Sequence, residues 1–196
     1  MIKVVSEHSV DLSLIKRDSK VLDLGCRYFG FANAMLEYVG EIYCVDADSS
    51  VKKTDERIKL IHVAVGNDVK VSRFVKWGNG TGNYLEDNEQ RPGDCQVELV
   101  QVWTLAKICK YFGIHEWDLI KIDIEGEEYD VLMGLTYSIA TQISFEMHQH
   151  TQKKRPMEDI HKLFNHLSRW YEFKVVDYSE KHGCGKNYWD VLVVRK

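Results

Sequence analysis

The carboxylates Asp123, Glu125 and Glu128 follow directly on the apolar run Leu119-Ile120-Lys121-Ile122, with Ile124 threaded between the first two. Short runs rich in β-branched residues are the pattern of a parallel strand covered on both faces. Gly126 permits a tight turn after it, and Tyr129, Val131, Leu132 and Met133 continue as a helix. In open α/β sheets ligands bind outside the carboxyl ends of strands, so Asp123 and its neighbours stand where a ligand is held or a proton is exchanged. Glu127 and Glu128 also suit the positive end of a helix dipole, a role that involves no chemistry.

A second constellation is Asp23-Leu24-Gly25-Cys26-Arg27-Tyr28-Phe29-Gly30, which joins a strand to a helix. Gly25 lets the backbone come close to a bound ligand. A dinucleotide fingerprint needs three glycines so that a pyrophosphate can reach the helix end; here the middle glycine is absent and Arg27, Tyr28 and Phe29 fill the loop. Asp23 would repel phosphate but suits an ammonium group. Asp46 ends the next strand and can accept hydrogen bonds from both hydroxyls of a ribose, with Asp48 as its competitor. One acid for an ammonium, a turn without pyrophosphate geometry and one acid for a ribose describe S-adenosylmethionine better than NAD.

The elements that must position these groups alternate. Strands are expected over 20–25, 41–45, 58–65, 118–124 and 141–147, with helices over 31–38, 105–112 and 157–170. Further strands are expected over 71–77 and 97–102, and Thr104 is placed to cap the helix that follows. Segments 172–178 and 188–194 have no helix between them and must pair antiparallel. Residues 77–96 carry the longest loop signal, expected to form a mobile loop, and acceptor recognition is expected there, in the amino-terminal segment and around 182–187.

The 196 residues with 44% hydrophobic content suit one domain over 1–196, without a second core. A net charge of −4 gives no sign of the sustained positive field that nucleic-acid backbone binding needs; a local basic patch stays open, and Lys153-Lys154-Arg155, the densest basic run, reads as a solvated loop. Cys26, Cys44, Cys95, Cys109 and Cys184 are odd in number and lack Cys-x-x-Cys spacing, so a reducing cytoplasm is expected. Neither a membrane span nor a secretory leader is expected.

Lys121-Ile122-Asp123-Ile124-Glu125-Gly126-Glu127-Glu128, continuing to Leu132-Met133-Gly134, resembles the signature of the FkbM-type S-adenosylmethionine-dependent methyltransferases. Val21 to Gly25, Val63-Ala64-Val65-Gly66 and Ile143-Ser144-Phe145-Glu146-Met147-His148 extend the resemblance over most of 20–148. Two positions depart from the family: Gly30 comes one residue late with no Asn before it, and Asp46-Ala47 replaces Glu-Pro. The resemblance implies a Rossmann-like class I fold, a mostly parallel seven-stranded sheet with helices on both faces and a carboxyl-terminal antiparallel hairpin. It assigns cofactor contacts to Asp23, Gly25, Cys26, Arg27, Gly30, Asp46, Ala47, Ala64, Val65 and Asp123.

The resemblance also implies O-methylation of a sugar or another hydroxylated small molecule. Candidate catalytic groups are His148, Asp123, Glu125 and Glu146, all at or near strand ends, and His148 has the ordinary pKa best suited to a base, about 6.5. His148 and His150 with Asp123 and Glu146 could hold a metal only while the strand persists, and the chain is expected to leave it near Gln149, so no metal ligand is assigned. A binding module that has lost catalysis is the alternative, favoured by the altered turn; an NAD-dependent oxidoreductase is disfavoured by the missing glycine.

Overall fold

The computed structural model describes residues 1–77, 84–86, 95–148, 155–181 and 186–196. A hairpin of β1 (Ile2–Val5) and β2 (His8–Asp11) comes first, then β3 (Val21–Leu24), α1 (Gly30–Met35), β4 (Ile42–Asp46), β5 (Ile58–His62) and β6 (Ala64–Val65). Next are β7 (Lys70–Trp77), β8 (Tyr84–Glu86), β9 (Cys95–Trp103), α2 (Leu105–Phe112), β10 (Trp117–Ile122) and α3 (Glu128–Met133). The chain continues through β11 (Ala140–His148), α4 (Met157–Leu167), β12 (Tyr171–Lys181) and β13 (Lys186–Arg195).

The main sheet has seven strands in the order β12-β13-β11-β10-β3-β4-β5. The five from β11 to β5 run parallel, β13 lies antiparallel to β11, and β12 antiparallel to β13, so the sheet is mixed. From β3 the chain builds outward through β4 and β5, then returns to place β10 on the other side of β3. That reversal leaves a crevice at the carboxyl ends of β3 and β10, where open sheets bind ligands.

Alternation sorts the side chains. Leu22, Leu24, Ile120 and Ile122 enter the larger core with α2, α3 and α4, whereas Val21, Cys44 and Leu119 join Phe31, Ala32 and Met35 of α1 on the other face. Asp23 and Lys121 share the parity of Val21 and Leu119 and therefore sit, adjacent in register, in the α1 face. Trp117 is fully buried beside α2, its indole N–H donating to Cys109 Sγ at 3.2 Å. Thr104 Oγ1 caps α2 by accepting the Lys107 amide at 3.2 Å.

Three features differ from the sequence reading. The segment 58–65 is not one strand: β5 ends at His62, and Ala64–Val65 pairs instead with β9, in a separate four-stranded sheet ordered β6-β9-β7-β8. The amino-terminal segment is a hairpin whose β2 lies on the main sheet, tied to it by Ser9 Oγ donating to Asp190 and by Gln142 bridging the Asp11 backbone. Within 77–96, β7 extends to Trp77, Tyr84–Glu86 is a strand and β9 starts at Cys95; the rest of that expected loop lies outside the described residues. Among the described residues, no helix is long and apolar enough to cross a membrane.

Candidate active site

Lys121 ties together the strand tips that form the floor of the crevice. Its Nζ lies 3.1 Å from Asp23 Oδ1 and 3.5 Å from Asp123 Oδ2, and it donates to the carbonyl oxygens of Leu24 (3.3 Å) and Gly25 (2.9 Å). Burial works against its charge, but Asp23 and Asp123 outweigh that cost and hold its pKa well above the ordinary value. Burial likewise pushes the Asp123 carboxyl up; Lys121, His8 and His148 override it, and the group is held well below the usual range.

The glycine of the first turn answers to this packing. Gly25 has φ +80°, and a Cβ there would stand 1.8 Å from the carbonyl oxygen of Asp123. Sequence reasoning credited Gly25 to ligand approach; the structure adds a demand from the protein itself, the close contact of β3 with the end of β10. The turn amides of Gly25 and Cys26 both reach the Val45 carbonyl, at 2.9 and 3.4 Å, which fastens the turn to β4.

At the tip of β4, Asp46 accepts the backbone N–H of Arg27 through Oδ2 and that of Asp48 through Oδ1, each at 2.8 Å. Burial raises its pKa, and the two amides oppose the rise. Asp48 is committed elsewhere, to Lys76 Nζ at 2.7 Å and to the amide and hydroxyl of Ser50. Asp46 faces a cavity of about 340 Å³ and Asp48 does not line it, which separates the two candidates.

The same cavity is lined by Asp23, Gly25, Cys26, Arg27, Gly30, Ala47, Ala64, Val65, Asp123 and Glu125, so every residue assigned to the cofactor converges there. Its composition is graded. One end is apolar, where Ala47, Ala64, Phe74 and Leu85 come together on a face of the second sheet, and the other carries Asp23, Asp123 and Lys121, with Glu125 beside them.

Behind the acidic end stands His148, buried at the last position of β11. Its Nδ1 is 2.9 Å from Glu128 Oε1, while its Nε2 lies 3.6 Å from Asp123 Oδ1, 3.6 Å from Glu125 Oε2 and 3.5 Å from Glu146 Oε2. All four residues proposed for catalysis are thus assembled, although His148 and Glu146 do not line the cavity. Glu128 is positioned in turn by the amides of Ile124 (3.0 Å) and Gly126 (2.9 Å to Oε2). That loop is tightly wound: Glu125 takes φ 57° and Gly126 φ 118°, and strained non-glycine residues of this kind concentrate at functional sites. Burial disfavours an imidazolium at His148, but Glu128, Glu146 and Asp123 override it and raise its pKa well above the ordinary value, away from that of a free neutral base.

The sequence reading missed His8. The hairpin turn Ser6-Glu7, with φ of 45° and 75°, carries His8 into the cavity wall, where only 3% of it is exposed. Its ring meets Phe31 edge-on with centroids 5.7 Å apart, and Nε2 lies 3.7 Å from Asp123 Oδ2. A signal was present: two strand-like runs, Ile2–Val5 and His8–Asp11, separated by two residues, the spacing of a tight hairpin. Ser-Glu instead of Asn-Gly obscured it, because positive φ at both positions favours the latter pair. Glu127, left between a dipole role and a ligand role, is buried and lines the cavity.

Residues 25–175 match the family model described as the methyltransferase FkbM domain. No curated protein sequence matches the chain. Among solved structures, the Methanococcus jannaschii fibrillarin pre-rRNA processing protein aligns with TM-score 0.54 at 13% identity, over 100% of this chain and 70% of that one. M. capricolum TrmK in complex with S-adenosyl-homocysteine aligns with TM-score 0.52 at 12% identity, over 94% of this chain and 66% of that one. The chain therefore spans about two thirds of the length of these proteins, and at such identities the likeness is one of fold, the α/β fold of class I methyltransferases.

Proposed function

Because the chain belongs to the FkbM methyltransferase domain family, with S-adenosylmethionine as its cofactor, we propose that it methylates a hydroxyl oxygen of a small molecule, with sugars as the leading acceptor class. The observation that carries this reading is the graded cavity: an apolar end beside Asp46 runs into an acidic end backed by His148. Asp46 suits a ribose, since two backbone amides orient its carboxylate and leave lone pairs facing the cavity. Ala47, Ala64 and Val65 offer an apolar surface to adenine. Gly25, Cys26, Arg27 and Gly30 would hold the methionine portion, and Asp23, shared with Lys121, would receive its ammonium.

When bound, the cofactor supplies an electrophilic methyl group on a sulfonium sulfur. The chain's task is to bring a hydroxyl oxygen in line with that methyl, so that the new C–O bond forms as the C–S bond breaks and S-adenosylhomocysteine departs. Positioning of this kind is worth on the order of 7 to 11 kcal/mol. The hydroxyl proton passes to a carboxylate; Asp123 and Glu125 are the candidates that line the cavity, and Asp123 is already engaged by Lys121, which favours Glu125. His148 keeps Asp123, Glu125 and Glu146 gathered at the acceptor side. A net charge of −4 favours a small acceptor over RNA, and the free thiols Cys26, Cys44, Cys95 and Cys109 suit a reducing cytoplasm.

The test has two stages: calorimetric titration with S-adenosylhomocysteine, then transfer of labelled methyl to a panel of sugars, other hydroxylated small molecules and tRNA. Saturable binding with label on an oxygen of a small acceptor is expected. Label on nitrogen or carbon, or on RNA alone, would overturn the acceptor class; absent binding would leave a module without methyl transfer.

A further inference from the structure

Asp123, Glu125 and Glu146 converge on Nε2 of His148 at 3.5 to 3.6 Å, while Glu128 takes Nδ1 on the other edge of the ring at 2.9 Å. One ligand atom each of Asp123, Glu128 and His148 lies within 4.8 Å of the others. An ion with bonds of about 2.0 to 2.4 Å separates ligands on its opposite sides by roughly 4 to 4.8 Å, so the cluster has the span of a coordination sphere. We propose that it binds a divalent metal ion on the acceptor side of the cavity, where the ion takes a substrate hydroxyl as a further ligand.

Three observations carry the assignment. The site is pre-set: Lys121 holds Asp123, and Glu128, itself held by the amides of Ile124 and Gly126, fixes the His148 ring through Nδ1. Two further carboxylates, Glu125 and Glu146, stand 3.6 and 3.5 Å from His148 Nε2. That is long for a hydrogen bond and close to the separation, about 3.0 to 3.5 Å, of neighbouring ligands around one ion. A second imidazole borders the same carboxylate: His8, buried, presents Nε2 3.7 Å from Asp123 Oδ2.

The expectation of no metal ligands rested on the chain leaving the strand near Gln149, which removes His150 from the face and leaves Glu146 and His148 on it. β11 runs through His148, which pairs with Tyr188, so Glu146 and His148 share one face. His150 lies outside the described residues. One imidazole with several carboxylates suits Mn²⁺, with Zn²⁺ the competitor for the nitrogen and Mg²⁺ for the oxygens. The inference rests on the proposed O-methylation and narrows its acceptor to hydroxyls that chelate an ion, such as the vicinal pair of a sugar. The ion would lower the pKa of the attacking hydroxyl, whose proton then leaves to a carboxylate.

The experiment uses the full chain stripped with EDTA and dialysed. MnCl₂ is titrated with free Mn²⁺ followed by electron paramagnetic resonance, and Zn²⁺ and Mg²⁺ are titrated by calorimetry. One ion per chain is expected, bound about 10- to 100-fold more weakly by His148→Ala and Glu128→Gln and unchanged in Glu56→Gln, an exposed residue outside the cavity. Folding of each variant is verified by circular dichroism and S-adenosylhomocysteine binding. The wild-type chain, which needs no substitution, should also melt at a higher temperature with Mn²⁺ than after stripping. Absence of saturable binding of all three ions to wild type, or binding that survives both substitutions, would overturn the proposal. Mn²⁺ bound as expected without methyl transfer would retain the site and remove the O-methylation reading. Full turnover in EDTA without ion binding would do the reverse.

Discussion

Lys121 and Asp23 face each other across adjacent parallel strands, paired in register and separated by 3.1 Å between Nζ and Oδ1, both shut away from solvent. The pair joins the two central strands at the ends where the cavity opens. Replacing Lys121 by Met leaves the Asp23 charge buried without its cation, a change that typically costs about 3 to 5 kcal/mol. Urea unfolding of Lys121→Met should show a loss of that size, and Lys121→Met with Asp23→Leu should recover much of it. A single variant as stable as wild type would refute the coupling.

Asp46→Asn keeps the size of the side chain and removes its charge and one acceptor. If Asp46 holds the ribose, affinity for S-adenosylhomocysteine should fall roughly ten- to hundredfold, the weight of a hydrogen bond to a charged group. The amide of Arg27 or of Asp48 also loses its acceptor, so the unliganded protein should melt lower, having lost about 1 to 3 kcal/mol of stability, and affinity is read well below that transition. Calorimetry reading an unchanged affinity would take Asp46 out of the cofactor site.

Asp48 provides the acid-side prediction. Burial raises its pKa, but Lys76 and Ser50 more than reverse that and leave it below the ordinary value. Protons therefore bind the unfolded chain more readily, so the contribution is complete above the unfolded value of about 3.9 and is lost as pH falls through the lower folded value. Unfolding measured from neutral pH down to pH 3 should show a steeper acid limb for wild type than for Asp48→Asn; parallel limbs would count against the pair.

Gly25 and Gly113 both have positive φ, at 80° and 70°, but a Cβ at Gly113 meets nothing within 4 Å, whereas one at Gly25 strikes the Asp123 carbonyl. Gly113→Ala should cost about 1 kcal/mol, from backbone strain alone. Gly25→Ala should cost several times more and disturb cofactor binding, because the Asp123 backbone must move. Equal melting temperatures for the two variants would show that the close contact carries no energetic weight.

Much of the fold was legible. The runs that became β3, β4, β10 and β11 are apolar and bounded by turns because both of their faces are covered, and α2 was marked by its Thr104 cap. The second sheet was not legible as a sheet: β6 continues β5 almost without interruption, and only its partner β9, more than 30 residues away, reveals that the chain has changed sheets. The β1–β2 hairpin escaped for a local reason, since Ser6-Glu7 adopts backbone angles that its residue types do not announce.

For the site, sequence alone determined the kinds of groups and their place along the chain: acids at strand ends, a glycine turn and an imidazole closing a strand. These follow from local rules of alternation and turn chemistry. Tertiary structure decided what each group faces. Asp46 rather than Asp48 opens on the cavity, Lys121 serves Asp23 as well as Asp123, Glu128 holds Nδ1 of His148, and His8 arrives from the first hairpin. Ionic state and coordination depend on distances of a few ångströms between residues far apart in the chain, because electrostatic and ligand interactions act through space. A buried His148 among four carboxylates is therefore a property of the folded sheet and not of the segment that contains it.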